Sequence, residues 1–265
     1  MLKEHLPVQR VLGFPIAALS FEAQTALMMR WAQSRLSKVV CIANVHMVTE
    51  AHETEQFGHV LRSADLITPD GMPLVWMLKL MGAVGQERVA GPDVLSALCA
   101  KAPQAGVSVF FLGSQATILD KMRVRLEQEF PSLKIAGMEP LPFRPLTEAE
   151  DAEIIQKINS SGAGIVMIAL GCPKQEKWMA AHHGKIQAVM IGLGGAFPVY
   201  ARIYKRPPRM IQMAGLEWLY RLVQEPRRLW KRYFDTMPKF VWLASKQLAA
   251  SFSQSTKAKL NKVKP

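Results

Sequence analysis

The sequence predicts an α/β protein with a Rossmann-like, mostly parallel sheet covered by helices, followed by a basic helical C-terminal appendage. Short apolar runs rich in β-branched residues alternate with segments of helical periodicity, and these runs are apolar at nearly every position. A strand that packs against helices on both faces needs such a continuous run. Near Tyr200 the pattern changes to closely spaced helices rich in arginine and tryptophan, which predicts the appendage.

The individual elements follow from this alternation. Residues 9–19 contain Gly13 and Pro15 and are predicted to form an antiparallel hairpin at the sheet edge, because proline does not fit a central strand. Apolar runs predict strands at residues 39–42, 65–68, 107–112, 134–137, 165–170 and 188–191. Helical periodicity and capping residues predict helices at residues 21–36, 45–57, 72–81, 92–102, 115–130, 148–159 and 174–182.

We divide the chain into an α/β domain at residues 1–198 and an appendage at residues 199–265, with amphipathic helices predicted at 217–223, 226–234 and 239–250. The α/β domain holds 18 basic and 18 acidic side chains, whereas the appendage holds 15 basic and 3 acidic ones and so carries the whole net charge of +12. Basic charge with interleaved aromatic residues favours an anionic membrane surface over nucleic acid, although RNA-binding proteins share this composition.

Several classes of protein are disfavoured. No apolar run in the 265 residues approaches the roughly 18 that a transmembrane helix needs. Glu4 and Pro7 interrupt the region where a signal peptide would be apolar, so we expect a cytoplasmic protein. Cys41, Cys99 and Cys172 are too far apart for a CxxC metal site. No G-x-G-x-x-G follows a first strand, which argues against a dehydrogenase.

The clearest sign of chemistry is a carboxylate at the end of a predicted strand. The strand at residues 65–68 stops at Pro69, and Asp70 and Gly71 then make a tight turn into a helix. Open α/β folds bind ligands at the carboxyl ends of their strands, although Asp70 would also suit a helix cap. Asn44 follows the preceding strand in the same way.

Ordered sequence blocks connect the chain to a known family. They comprise Asn44, Ala64-Asp65-Leu66, Pro69-Asp70-Gly71, Arg88-Val89-Ala90-Gly91-Pro92-Asp93, Phe110-Phe111-Leu112-Gly113, Leu170-Gly171-Cys172-Pro173-Lys174-Gln175-Glu176, Gly192-Leu193-Gly194-Gly195-Ala196-Phe197, Arg206-Pro207-Pro208, Gly215-Leu216-Glu217-Trp218-Leu219-Tyr220-Arg221-Leu222 and Glu225-Pro226-Arg227-Arg228. Over residues 10–235 the chain resembles the WecG/TagA/CpsF family of bacterial glycosyltransferases, and the preserved order argues against a chance match.

The resemblance implies an inverting transfer of a sugar from a UDP donor to an undecaprenyl-diphosphate-linked sugar in surface polysaccharide biosynthesis. It implies that Asp70 is the base and that Asn44, Arg88 and Gln175 surround the nucleotide sugar; for the two amides, a helix cap is the alternative. Family members use N-acetylmannosamine, its uronic acid or glucose. Ile42 occupies a position where the family often has threonine, which leaves the donor sugar open.

Sugar transfer also needs groups that stabilise the departing diphosphate. The helix dipole would help to keep Asp70 ionised. No Asp-x-Asp motif is present to hold a metal ion, so we expect a metal-independent enzyme without a cofactor. Arg88 would bind phosphate oxygens. Backbone N–H groups that bind the diphosphate would come from the glycine turns at Gly113, Gly192, Gly194 and Gly195. The alternative is that these glycines serve only to form tight turns.

The appendage is expected to serve the acceptor. The resemblance implies contacts to the lipid diphosphate from Arg221, Arg227, Arg228 and Arg232. It also implies a peripheral position on the inner face of the cell membrane and a homo-oligomer. His46 and Glu50, one helical turn apart, are expected to be exposed, and the alternative is that they support the residues that contact the substrate. The alternative to an enzyme is a noncatalytic nucleotide- or RNA-binding α/β protein with a basic arm.

Overall fold

A six-stranded parallel sheet forms the centre of the protein in the computed structural model, which describes residues 6–142 and 144–261, with side chains up to residue 251. The strands are β1 (Val8–Val11), β2 (Phe14–Ala17), β3 (Lys38–Ala43), β4 (Leu66–Pro69), β5 (Val109–Gly113), β6 (Ile135–Glu139), β7 (Ile165–Ala169) and β8 (Val189–Gly192). The central sheet has the order β4-β3-β8-β7-β5-β6, with all neighbouring strands parallel. The predicted Rossmann-like architecture is confirmed.

Helices cover both faces of this sheet. They are α1 (Phe21–Gln33), α2 (Val45–Glu53), α3 (Glu55–Ser63), α4 (Met72–Leu80), α5 (Gly91–Lys101), α6 (Ala116–Glu129), α7 (Glu148–Ser160), α8 (Lys174–His182), α9 (Ala196–Tyr200), α10 (Arg209–Met213), α11 (Glu217–Gln224) and α12 (Pro226–Asn261). Consecutive residues of β3 belong to different cores: Cys41 and Ala43 pack in one hydrophobic cluster, and Val40 and Ile42 pack in the other. This alternation explains why the strands are apolar throughout.

The predicted hairpin is antiparallel, and Leu12 and Gly13 make its turn with positive φ angles. It forms a separate two-stranded sheet beside the edge strand β4 and is not part of the parallel ladder. Gln247 of α12 holds the hairpin, because its side chain accepts from the Leu12 N–H at 2.8 Å and donates to the Arg10 carbonyl at 2.6 Å. The C-terminal helix therefore reaches back to the first residues of the fold.

Two helix predictions are wrong. The segment 45–57 is not one helix, because Thr54 is extended and separates α2 from α3. The segments 226–234 and 239–250 belong to the single helix α12, which continues through Pro238. Proline interrupts helical hydrogen bonding, but Leu229 and Phe240 are buried on either side of it and hold the helix in place. Although α12 has 36 residues, no helix in the described part of the chain is both long and apolar enough to span a membrane.

Candidate active site

The carboxyl ends of β3 and β4 bring two predicted site residues together. Ala43 and Pro69 are paired in register, so Asn44 and Asp70, which follow them, lie side by side. The Asp70 N–H donates to the Ala43 carbonyl at 2.8 Å. The Asn44 side chain caps α2 by accepting from the Met47 N–H at 3.2 Å, which confirms the predicted alternative of a helix cap.

Asp70 does not cap the helix that follows it. Gly71 is the N-cap residue of α4, and no side chain completes that cap. The Asp70 carboxylate instead accepts from Arg88, whose Nη2 lies 3.1 Å and Nε 3.3 Å from Oδ1. Burial raises the pKa of Asp70 above 3.8; the Arg88 charge opposes this shift and the Glu217 charge adds to it. The net effect raises the pKa of Asp70, whereas the helix dipole alone would lower it.

Arg88 connects the α/β body to the appendage. Its Nη1 lies 2.7 Å from Oε2 of Glu217, the first residue of α11, while its other nitrogens face Asp70. Burial lowers the pKa of Arg88, but the two carboxylates outweigh this effect and the net shift is upward. Arg88 therefore stays charged, and its guanidinium is engaged by protein carboxylates in this structure.

A narrow cleft of about 90 Å³ lies above these residues. Its floor is formed by strand ends and helix starts of the body, including Asn44, Asp70 and Arg88. Its roof is formed by appendage residues, which are Gly215, Glu217, Trp218, Arg221, Arg232, Tyr233, Thr236 and Met237. Sites for small molecules usually enclose about 300–1,000 Å³, so the appendage side chains largely fill the cleft.

Two arginines of the appendage point into the cleft. Nη2 of Arg232 lies 3.4 Å from Oδ1 of Asn44, and its buried Nε has no hydrogen-bond partner. Burial lowers the pKa of Arg232, and the charges of Arg221 and Arg228 add to that shift. The Arg221 guanidinium lies against Gly195, where an added Cβ would be 2.9 Å from Nη2. A polyanion entering the cleft would therefore meet two guanidinium groups.

His46 and Glu50 are not exposed, contrary to the prediction. Their side chains are 19% and 30% exposed, with His46 Nε2 at 3.1 Å from Glu50 Oε2. Burial and the Arg232 charge lower the pKa of His46 to about 4, so the imidazole is neutral at pH 7. Ligand atoms of His46, Glu50 and Cys172 lie within 4.8 Å of one another, and in the described residues this is the group that could hold a metal ion.

Comparison with known proteins decides the family. The model of the glycosyl transferase WecG/TagA/CpsF family matches residues 9–254. Relatives named N-acetylglucosaminyldiphosphoundecaprenol N-acetyl-beta-D-mannosaminyltransferase occur in Bacillus spizizenii, at 36% identity over 80% of both chains, and in Bacillus subtilis, at 31% identity over 82% of both chains. The chain belongs to the WecG/TagA/CpsF family of glycosyltransferases. It is an enzyme, and the noncatalytic alternative and the dehydrogenase are wrong.

The other predicted residues of the glycosyltransferase lie at neighbouring strand ends. Gln175 is buried, donates to Glu176 at 2.8 Å and accepts from the Gly171 N–H at 3.2 Å. It packs against the turn after β8, since a Cβ on Gly192 or Gly194 would lie 2.9 or 3.1 Å from its amide. Gly113 has a φ of +89°, and a Cβ there would meet the Ala169 carbonyl at 2.7 Å. These glycines thus have structural reasons to lack a side chain.

The four predicted arginines of the appendage separate into two pairs. Arg221 and Arg232 line the cleft, whereas Arg227 and Arg228 are exposed, and Arg228 pairs with Glu225 at 2.6 Å. Glu217, Tyr233 and His46 line the glycosyltransferase cleft, although none of them was among the predicted catalytic or substrate-binding residues. A signal for Glu217 was present, because it lies in the block from Gly215 to Leu222.

Proposed function

We propose that this glycosyltransferase moves N-acetylmannosamine from a UDP donor, with inversion, to a sugar carried on undecaprenyl diphosphate. The names of the two Bacillus relatives support both the donor sugar and the lipid-linked acceptor. The observation that carries the proposal is the position of Asp70, a carboxylate in a cleft that also holds two guanidinium groups of the appendage.

In the proposed reaction, Asp70 accepts the proton of the acceptor hydroxyl, and the oxygen attacks the anomeric carbon of the donor as its bond to UDP breaks. The carboxylate must be ionised to act as this base. The negative charge left on UDP is stabilised by guanidinium groups and backbone N–H groups, without a metal ion. The nucleotide lies along the strand ends near Asn44, Gln175 and the turns at Gly113, Gly192, Gly194 and Gly195.

Arg88 acts as a positioning residue in this proposal. Its guanidinium forms ion pairs with one oxygen of Asp70 and with Glu217 of the appendage. Its charge also lowers the pKa of Asp70, against the effect of burial. Arg88 therefore orients the base and favours its ionised form.

The acceptor places the reaction at a membrane. We propose that the basic appendage binds the anionic inner face of the cell membrane, where undecaprenyl diphosphate resides. Large apolar side chains of the appendage, such as Met210, Trp230 and Trp242, are more than half exposed. Basic residues and exposed aromatic residues together favour the headgroup region of an anionic bilayer.

The test is the transfer rate of Asp70→Asn with UDP-N-acetylmannosamine and a lipid-diphosphate acceptor. A lost general base lowers the rate by about 10²–10⁴-fold, and we expect a fall in kcat of that size. Asp120→Asn, an exposed carboxylate on α6, is the matched control and should keep the parent rate. Because burial raises the pKa of Asp70, the acid limb of the parent pH profile should lie at higher pH than for an ordinary aspartate. A parent rate in Asp70→Asn would overturn the assignment.

A further inference from the structure

A second, apolar groove runs between α4 and the C-terminal helix. It encloses about 510 Å³. Trp76 and Leu80 line it from α4, Leu222 from α11, and Phe234, Val241 and Ser245 from α12. A groove of this size is large enough for a small hydrophobic ligand.

The groove is continuous with the catalytic cleft. Pro73, Trp218, Tyr233 and Met237 line both spaces, so the apolar groove opens where the polar cleft ends. The two spaces differ in chemistry, because the cleft contains guanidinium groups while the groove has almost wholly apolar walls. A ligand that fills both must join a polyanionic group directly to a hydrocarbon chain.

Several apolar side chains of this groove leave much of their surface exposed. Trp76, Leu80, Phe234 and Val241 are between 46% and 71% exposed. Contiguous exposed apolar surface in a folded protein usually marks a binding site. The groove lies beside buried residues of α12, since Phe240 and Ala244 pack in the core of the body, so its shape is fixed by the fold.

We infer that this groove holds the isoprenoid chain of the acceptor, next to the diphosphate in the cleft; the inference rests on the proposed function. An isoprenoid diphosphate has the two groups in this order. Its charged diphosphate lies at the arginines of the cleft, and its hydrocarbon chain begins directly beyond the diphosphate, in the groove. The enzyme then recognises the first part of the lipid as well as the sugar. An acceptor with a short chain would leave the groove empty and bind more weakly.

The experiment is equilibrium dialysis, without detergent, of the full chain with farnesyl diphosphate and with inorganic diphosphate. Burial of two CH₂ groups alone favours binding by about tenfold, so the parent protein should bind farnesyl diphosphate at least about tenfold more tightly than inorganic diphosphate. Ser245→Trp fills the groove from an exposed position and should abolish this preference. Ser251→Trp, on the same helix but outside the groove, should retain it.

A second pair of variants tests the opposite wall of the groove. It keeps the test valid if the first pair of variants does not fold. Leu80→Glu places a charge in the groove and should also remove the preference for farnesyl diphosphate. Val84→Glu, exposed and four residues further along, should not. Melting temperatures of all four variants establish that they are folded.

Three outcomes would overturn the inference. The parent protein could bind both diphosphates equally, or the groove variants could match their controls. The groove variants could instead lose binding to anionic vesicles or self-association while they keep the preference for farnesyl diphosphate; the groove would then contact a bilayer or a second copy. A failure of the proposed function is distinguishable, because the protein would then bind farnesyl diphosphate selectively and yet transfer no sugar to a lipid-diphosphate acceptor.

Discussion

Residues 1–198 and residues 199–265 differ in how they use burial and charge. The first region has balanced charge, and inner strands of its sheet such as β5 and β8 are buried on both faces. The second has 15 basic and 3 acidic side chains and exposes large apolar residues such as Met210, Val223 and Phe234. The body therefore buries most of its apolar side chains, whereas residues 199–265 add a few side chains such as Phe240 to that core and leave basic and apolar groups on the surface.

An ion network and a long helix are among the contacts that join the two regions. Arg88 of the body joins Asp70 to Glu217 of the appendage, and α12 packs along α2 and reaches the N-terminal hairpin. Residues 199–265 therefore roof the proposed catalytic cleft, and we propose that they also face the membrane. Variants that separate these two proposed roles test the proposal.

The largest effect is expected from breaking the ion network. Arg88→Gln removes a partner from two partly buried carboxylates and should cost about 3 kcal/mol of stability. Misplacement of a catalytic group by about 1 Å can cost about 10²-fold, so kcat/KM should fall by at least that factor. Because the Arg88 charge lowers the pKa of Asp70, the acid limb of the pH profile should also move to higher pH.

Arg206→Gln is the matched control for this variant. Arg206 also joins the two regions, through an ion pair of 2.6 Å with Asp93, but both side chains are at least one third exposed. Exposed pairs contribute at most about 1 kcal/mol, so activity should be unchanged. Equal effects of the two substitutions would mean that any link between body and appendage matters equally, and the role of Arg88 at Asp70 would be wrong.

Two substitutions on α12 should separate an effect on stability from an effect on activity, and the expected change in activity is smaller than that of Arg88→Gln. Arg232 is a buried cation with an unpartnered Nε, and Arg232→Met should raise the melting temperature while kcat/KM for the acceptor falls by about tenfold. Leu229→Ala, on the same helix, removes a buried apolar side chain and should lower stability by about 2–5 kcal/mol. A lower melting temperature in Arg232→Met would show that the arginine stabilises the fold.

The sequence was a good guide to the body for a physical reason. Strands such as Ile165–Ala169 pack on both faces, so their apolar runs reflect local structure directly. Asn44 and Asp70 were correctly placed at strand ends, because parallel strands end at the same edge of a sheet. The break at Thr54 was missed, since both α2 and α3 keep an apolar face across it.

The appendage was less predictable, because its contacts are long-range. Nothing near Arg232 indicates that it would contact Asn44, 188 positions away, or that Arg227 and Arg228 would stay on the surface. The predicted separation of residues 226–234 from residues 239–250 is wrong, because α12 continues through Pro238. The pairing of Arg88 with two carboxylates was missed because Glu217 comes from a different region of the chain.

Vesicle binding tests the outward-facing side of the appendage. Trp242 is 63% exposed, with Nζ of Lys246 5.1 Å from its ring centroid. Trp242→Ala should weaken flotation with anionic vesicles about fivefold, by loss of apolar burial, and added salt should weaken the parent further. Val124→Ala removes an exposed apolar residue of the body and should change nothing. Equal losses in the two variants would contradict a membrane-binding role of the appendage.

The smallest expected effect is that of metal removal. A required metal ion contributes several kcal/mol to the transition state, so its chelation would lower the rate by more than about 100-fold. Within the described residues, the group able to hold a cation is His46, Glu50 and Cys172. Burial and nearby carboxylates raise the pKa of the Cys172 thiol, which favours its protonated form, and Arg232 adds a positive charge beside the group. Both effects oppose a bound cation.

Transfer rates with EDTA and with excess Mg²⁺ should therefore agree within about twofold. A rate that collapses with EDTA and returns with Mg²⁺ would mean that a metal ion, and not the arginines brought by the appendage, neutralises the departing diphosphate.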